Sequence, residues 1–225
     1  MGQSYRIVNV DKRMVIDPDD FGNGRKITEW AFNLNDMVLA MMNLIAGEWK
    51  GDRVYVVGDY AARRESCELW YDTMGAVLDE LNCKSLYDCS DEFTRVVPEW
   101  IRGSRVKGFA SVVFCNTGDA GYRYIYNHAE RQVVSLEKCP VEWIIRENRN
   151  GAARAVRIAP LPLLLAMGNG RGAGDYRDKN NSDLVGKWCA TSKSIEVSKE
   201  RLKSASGYSE LTPDFTNGTN RTAVR

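Results

Sequence analysis

Apolar and polar positions alternate from Tyr5 to Val10, yield to the polar turn Asp11-Lys12-Arg13, and resume from Met14 to Ile16, which predicts a β-hairpin stopped by Asp17-Pro18. After the loop Phe21-Gly22-Asn23-Gly24 the period changes. Trp30, Leu34, Met37, Val38, Met41, Met42 and Ile45 fall on one helical face, with Asp36 as the expected cap and Gly47 as the stop. The methionines on that face read as adaptable core filling rather than as a recognition groove. Arg53 to Val57 predicts a strand ended by Gly58-Asp59. A second helix follows, capped by Ser66, with Trp70, Met74, Val77, Leu78 and Leu81 on its apolar face and Asn82 at its close. Asp88 to Thr94 reads as a polar connection.

From Val106 the texture turns to strands: Phe109 to Cys115, the turn Thr117 to Gly121, Tyr122 to Tyr126, then short runs at Gln132 to Leu136, Val141 to Ile145 and Ala155 to Ile158. This predicts a β-meander. Pro160 and Pro162 argue against a regular helix start, which makes Leu163 to Met167 a short apolar lead into a glycine-rich loop. Past Lys203 the chain turns to Ser, Thr, Asn and Gly and predicts a tail, docked by Tyr208, Leu211 and Phe215.

Ile7, Asn9, Arg13 and Val15 recur at one constant spacing as Ile125, Asn127, Arg131 and Val133. In both halves a Trp (Trp30, Trp143), an Ala-Met pair (Ala40-Met41, Ala166-Met167) and a Gly-x-Trp (Gly47-Glu48-Trp49, Gly186-Lys187-Trp188) follow in the same order. The expected fold class is therefore α+β: β-rich hairpins and a meander, two main helices in the first half, and an internal pseudo-duplication. The expected division is 1–103, 104–203 and a 204–225 tail, the halves sharing one core because such units do not bury themselves alone. Chance similarity of amphipathic strands is the alternative.

Met1-Gly2-Gln3, Val8 to Lys12, Gly47 to Arg53, Gly58 to Ala61, Tyr126-Asn127-His128, Pro160 to Leu164, Gly168 to Asp175 and Leu184 to Trp188 resemble the motifs of a family of tandem-duplicated proteins. That family opens on a VNLDK hairpin, carries GxWAGDRI and GDYA in its first half, and carries GNGRGGGD and LVGSW in its second. The resemblance reaches to about Phe215 and implies two related halves without bringing an activity with it. The chain departs from the pattern in lacking a glycine loop before Trp49 and in placing Cys189-Ala190-Thr191 after the second Trp.

Composition narrows the function. Lys and Arg number 31 against 30 Asp and Glu, so no global field draws nucleic acid or an anionic membrane. Six cysteines without a C-x-x-C pair argue for free thiols, and no signal peptide or membrane span is legible, so a cytoplasmic, reducing location is expected. On that placement the N-x-S/T triplets at Asn180, Asn217 and Asn220 carry no sugar, and Arg6 spoils a myristoylation signal at Gly2.

Alternate glycines from Gly168 to Gly174 can expose successive N–H groups to an anion, with Arg171 as a bidentate partner, or can permit a tight chain crossing. Asn169, Gly170, Arg171, Gly172 and Asp175 are the candidate ligand-binding residues there. Asp52, Arg53 and Asp59, which bracket a strand, join them if neighbouring loops bring them together; turn formation and ion pairing are their alternative roles. Asp175, Asp178, Asn180, Asn181 and Asp183 supply oxygens but miss the EF-hand pattern, so no metal or cofactor is assigned. His128 is the single histidine and lies in a hairpin turn without a nucleophile elbow anywhere. The small basic patch Arg146, Arg149, Arg154 and Arg157 lacks interleaved aromatics and reads as a polar sheet surface. The expectation is a non-catalytic structural or protein-interaction module, assembling with itself or a larger particle. The alternative is a binder or hydrolase of a phosphorylated or nucleotide-like ligand at the 168–175 loop.

Overall fold

A computed structural model describes residues 3–61, 71–99, 120–146, 153–168, 176–178, 184–213 and 215–217. In chain order the first half contains β1 (Tyr5–Asn9), β2 (Met14–Ile16), α1 (Ile27–Trp30), α2 (Asp36–Ala46), β3 (Val54–Gly58), α3 (Tyr71–Leu81), α4 (Leu86–Cys89) and β4 (Thr94–Arg95). The second contains β5 (Tyr124–Asn127), β6 (Gln132–Ser135), β7 (Val141–Arg146), β8 (Ala153–Arg157), α5 (Pro160–Leu164), β9 (Ala166–Met167), β10 (Tyr176–Asp178), β11 (Ile195–Ser198), β12 (Ser209–Glu210) and β13 (Phe215–Asn217). This is an α+β fold. No described helix is long and apolar enough to cross a membrane.

Several local expectations are corrected. The helical stripe from Trp30 to Ile45 belongs to two helices, because Phe32 bridges to Ile158 and Asn33 binds the Arg157 backbone through its own N–H and its side-chain Oδ1, which pulls the chain out of helical geometry between them. Asn35, not Asp36, caps α2: its side chain accepts the Met37 N–H at 2.9 Å, and Asp36 sits inside the first turn. Pro160 and Pro162 begin a single helical turn rather than preventing one, since first-turn N–H groups have no intrahelical acceptor to lose. The polar connection Asp88 to Thr94 contains the end of α4, a 3-10 turn at Ser90–Glu92 and the start of β4. Arg6 holds it to the sheet, its guanidinium donating to Ser90 Oγ at 3.3 Å and to Asp91 at 2.5 Å. The expected strand Phe109 to Cys115 and the Ser66 cap lie outside the described residues.

Two sheets dominate. The first has the order β4-β2-β1-β3-β9 and the second β11-β5-β6-β12. They share a register. β1 and β5 each form a hairpin with the next strand, and β3 and β11 pair antiparallel on the other side. β4 and β12 add in parallel, with Thr94 donating to the Arg13 carbonyl and Ser209 to the Arg131 carbonyl, both at 2.9 Å. Arg13 and Arg131 sit in the left-handed region at φ 50° and 51°. Each turn is pinned by an asparagine: Asn9 accepts from the Lys12 N–H at 2.9 Å and Asn127 from the Glu130 N–H at 3.1 Å. Trp49 and Trp188 aim their indole N–H groups at the matching first residue of the second hairpin strand, Met14 Sδ at 3.4 Å and Gln132 Oε1 at 2.8 Å. Two of the expected pairings do not match in structure. Ala40-Met41 is helical and Ala166-Met167 is a strand, while Trp30 ends α1 and Trp143 lies in β7.

One apolar cluster contains Ile7, Trp30, Met41 and Trp49 with Ile125, Leu164, Trp188 and Phe215, so residues of both halves share an interior. The helices cross over: α2 packs on β11 and α5 on β3. The region expected as a tail adds β12 to the second sheet, pairs β13 with β10 and buries Phe215. α3 and α4 form a separate cluster over the other face of the first sheet, where Met74, Val77, Leu78 and Leu86 meet Val8, Val15 and Tyr55.

Candidate functional site

Of the residues nominated from sequence, Asn169, Gly170, Arg171, Gly172 and Asp175 lie outside the described residues. Their flank is a tight crossing: a Cβ on Gly168 would stand 2.3 Å from the Tyr5 hydroxyl and 2.7 Å from Gln3 Oε1. Asp52 and Arg53 precede β3 and Asp59 follows it, so the strand holds them at opposite ends instead of converging them. Asp52 accepts from Asn9 Nδ2 at 2.8 Å and lies 3.3 Å from the Lys12 ammonium. Asp59 accepts from the Ser4 N–H at 3.0 Å. Arg53 forks between Asp11, at 2.7 Å, and Glu80. All three serve turns and ion pairs. Among the described residues, no group of three or more His, Cys, Asp or Glu could hold a metal ion.

The Arg53 cluster links folding to pH. Burial raises the Asp11 carboxyl, but hydrogen bonds from the Arg53 guanidinium and amide more than reverse this and hold it below the usual carboxylate range. The Arg25 hydrogen bond likewise holds Asp19 down. A carboxyl depressed in the folded state contributes stability above its unfolded pKa and loses it as pH falls through the folded value. Stability is therefore expected to decline below about pH 4. Asp11→Asn should cost about 1 kcal/mol at neutral pH and flatten that acid limb; urea unfolding at a series of pH values checks it, and an unchanged limb counts against the assignment.

The outer faces of the two sheets differ. Where the first places Val8, Val10 and Tyr55 beneath helices, the second places Tyr126, His128 and Glu196. His128 Nε2 lies 2.8 Å from Glu196 and Nδ1 lies 3.0 Å from the Tyr208 hydroxyl, so both ring nitrogens are occupied. Its ring stacks on Tyr126 at 6.1 Å. The two buried thiols offer little nucleophilicity: burial pushes Cys139 up to about 12, against the opposing charge of Arg157, and raises Cys189 as well.

Among the described residues, a cleft of about 230 Å³ at the seam of the halves has the geometry of a binding site. Leu39 and Met42 of α2 form one wall, Ile125 of β5 another, and Ile158 with Leu161 a third. Tyr122, Arg123, Leu136, Glu137 and Arg157 stand around it. Local sequence explains each wall: α2 turns its apolar stripe toward the second sheet, and the extended bridge at Ile158 brings Arg157 beside Asn33. The Arg157 N–H donates to Asn33 Oδ1 at 2.9 Å, and its guanidinium donates to the Cys139 carbonyl at 2.7 Å. Sequence reasoning missed this site because its lining comes from five separate stretches of chain. Only Arg157 drew notice, as part of a polar surface.

No family model, curated protein or solved structure matches the chain.

Proposed function

We propose that the protein is a non-catalytic binding protein that holds a small ligand in the cleft where its halves meet. The carrying observation is that apolar walls and two arginines converge on one concave space, the usual composition of a small-molecule site. We also infer that the halves descend from one duplicated unit, since matched asparagine, arginine and tryptophan positions make matched bonds. The free thiols of Cys83 and Cys89, only half buried, go with a reducing compartment. The test is Leu136→Trp, which places a bulky ring at the half-exposed rim without opening the core. Small apolar compounds that stabilise the wild type in a thermal-shift screen should lose that effect in the variant. Undiminished stabilisation would move the binding site elsewhere.

A second reading, a protein-interaction module, draws on the outer face of the second sheet. Tyr124, His128 and Tyr208 remain half-exposed on a surface whose counterpart is sealed by α3 and α4. Light scattering across a concentration series tests self-assembly. A mass that stays at one chain throughout counts against it.

A further inference from the structure

Arg157 sits half-buried at the cleft, with its guanidinium against a neutral carbonyl, that of Cys139, at 2.7 Å. Among the described residues no carboxylate lies within ion-pair distance of it, whereas Arg6, Arg25, Arg53, Arg95 and Arg123 each have at least one. A guanidinium carries five donors in a planar fork, so one bond to a carbonyl leaves both charge and directionality to be used. The side chain is well fixed for that role. Asn33 grips its backbone from both sides, taking the Arg157 N–H at 2.9 Å and donating to the Arg157 carbonyl at 3.0 Å. Arg123 also lines the cleft, 3.5 Å from Glu137, whose carboxylate is 75% exposed and well solvated.

We infer that the ligand of this cleft is a small organic carboxylate with an apolar body, its carboxylate on Arg157 and its body against Leu39, Met42 and Ile125. This rests on the cleft being the binding site. Arg157, with no carboxylate within ion-pair distance among the described residues, brings a positive charge to the space, which selects an anion over a neutral or cationic analogue. The apolar walls require more than a bare ion. A volume of about 230 Å³ is below the roughly 300–1,000 Å³ of drug-sized sites, which favours a compact carboxylate over a nucleotide.

The test uses the full chain and three probes of matched shape: 3-phenylpropionate, 3-phenylpropan-1-ol and 3-phenylpropylamine, titrated calorimetrically into the millimolar range. The carboxylate is expected to bind roughly tenfold or more tightly than the alcohol, as a charge-assisted fork contact implies, and the amine not at all. Arg157→Met keeps the apolar stem and should erase the preference for the carboxylate while leaving alcohol binding in place. Arg157→Lys should keep part of it. The wild-type probe series decides the matter even if a variant folds poorly. Equal binding of carboxylate and alcohol, or a preference that survives Arg157→Met, would overturn the carboxylate assignment and leave the cleft reading intact. If no probe binds, or if Leu136→Trp leaves carboxylate binding unchanged, both fall together.

Discussion

Trp188→Ala is expected to destabilise the protein by about 3–5 kcal/mol, within the range for deleting a fully buried aromatic side chain. The indole has no solvent exposure and belongs to the interior shared by the halves, so the cavity would open between them. Its loss also strips the side-chain partner from Gln132 Oε1, now 2.8 Å from the indole nitrogen. For a chain of this length the melting temperature should fall by roughly 6–20 °C. A finer comparison separates packing from hydrogen bonding. Trp188→Phe should cost about 1 kcal/mol in lost bonding beyond its change in packing, whereas Trp49→Phe should lose less, because its partner Met14 Sδ is a weak acceptor. Equilibrium urea unfolding measures all three, and a change below 1 kcal/mol for Trp188→Ala would contradict the shared interior.

The second large effect concerns the end of the chain. Phe215→Ala is expected to cost about 3–5 kcal/mol, since Phe215 is 1% exposed and packs in the same interior. In a solvated tail the same substitution would stay within about 0.5 kcal/mol. The loss should extend beyond Phe215 itself, because β13 supplies the only described partner of β10, which follows the glycine-rich stretch. Denaturant unfolding of Phe215→Ala distinguishes the two cases directly. A near-neutral result would return residues beyond 203 to the status of a tail.

Local patterning made the hairpins legible. Alternation fixed β1, β2, β5 and β6 to within a residue or two, while the asparagine lock and left-handed arginine of each turn emerged only in the structure. Helical spacing located α2, and Asn82, at φ 51°, closes α3 where the sequence put its end. Two-residue strands such as β4 and β12 left no readable period. Their pairing with β2 and β6 depends on partners more than seventy residues away. Of the candidate site, only Asp52, Arg53 and Asp59 fell among described residues, and their alternative role in turns and ion pairs is the one their contacts display.

By itself the sequence determined the α+β class, the two matching hairpins and the amphipathic faces of the two main helices, since each is written in spacing between near neighbours. The tertiary structure decided which helix covers which sheet, whether the end of the chain docks, and that a cleft opens beside Arg157. The reason is physical. Periodicity says which face of an element avoids water, but not what it meets. Crossing α2 onto β11 and α5 onto β3 is a choice among apolar faces of similar chemistry, and the space left between them belongs to the packing of all the walls together.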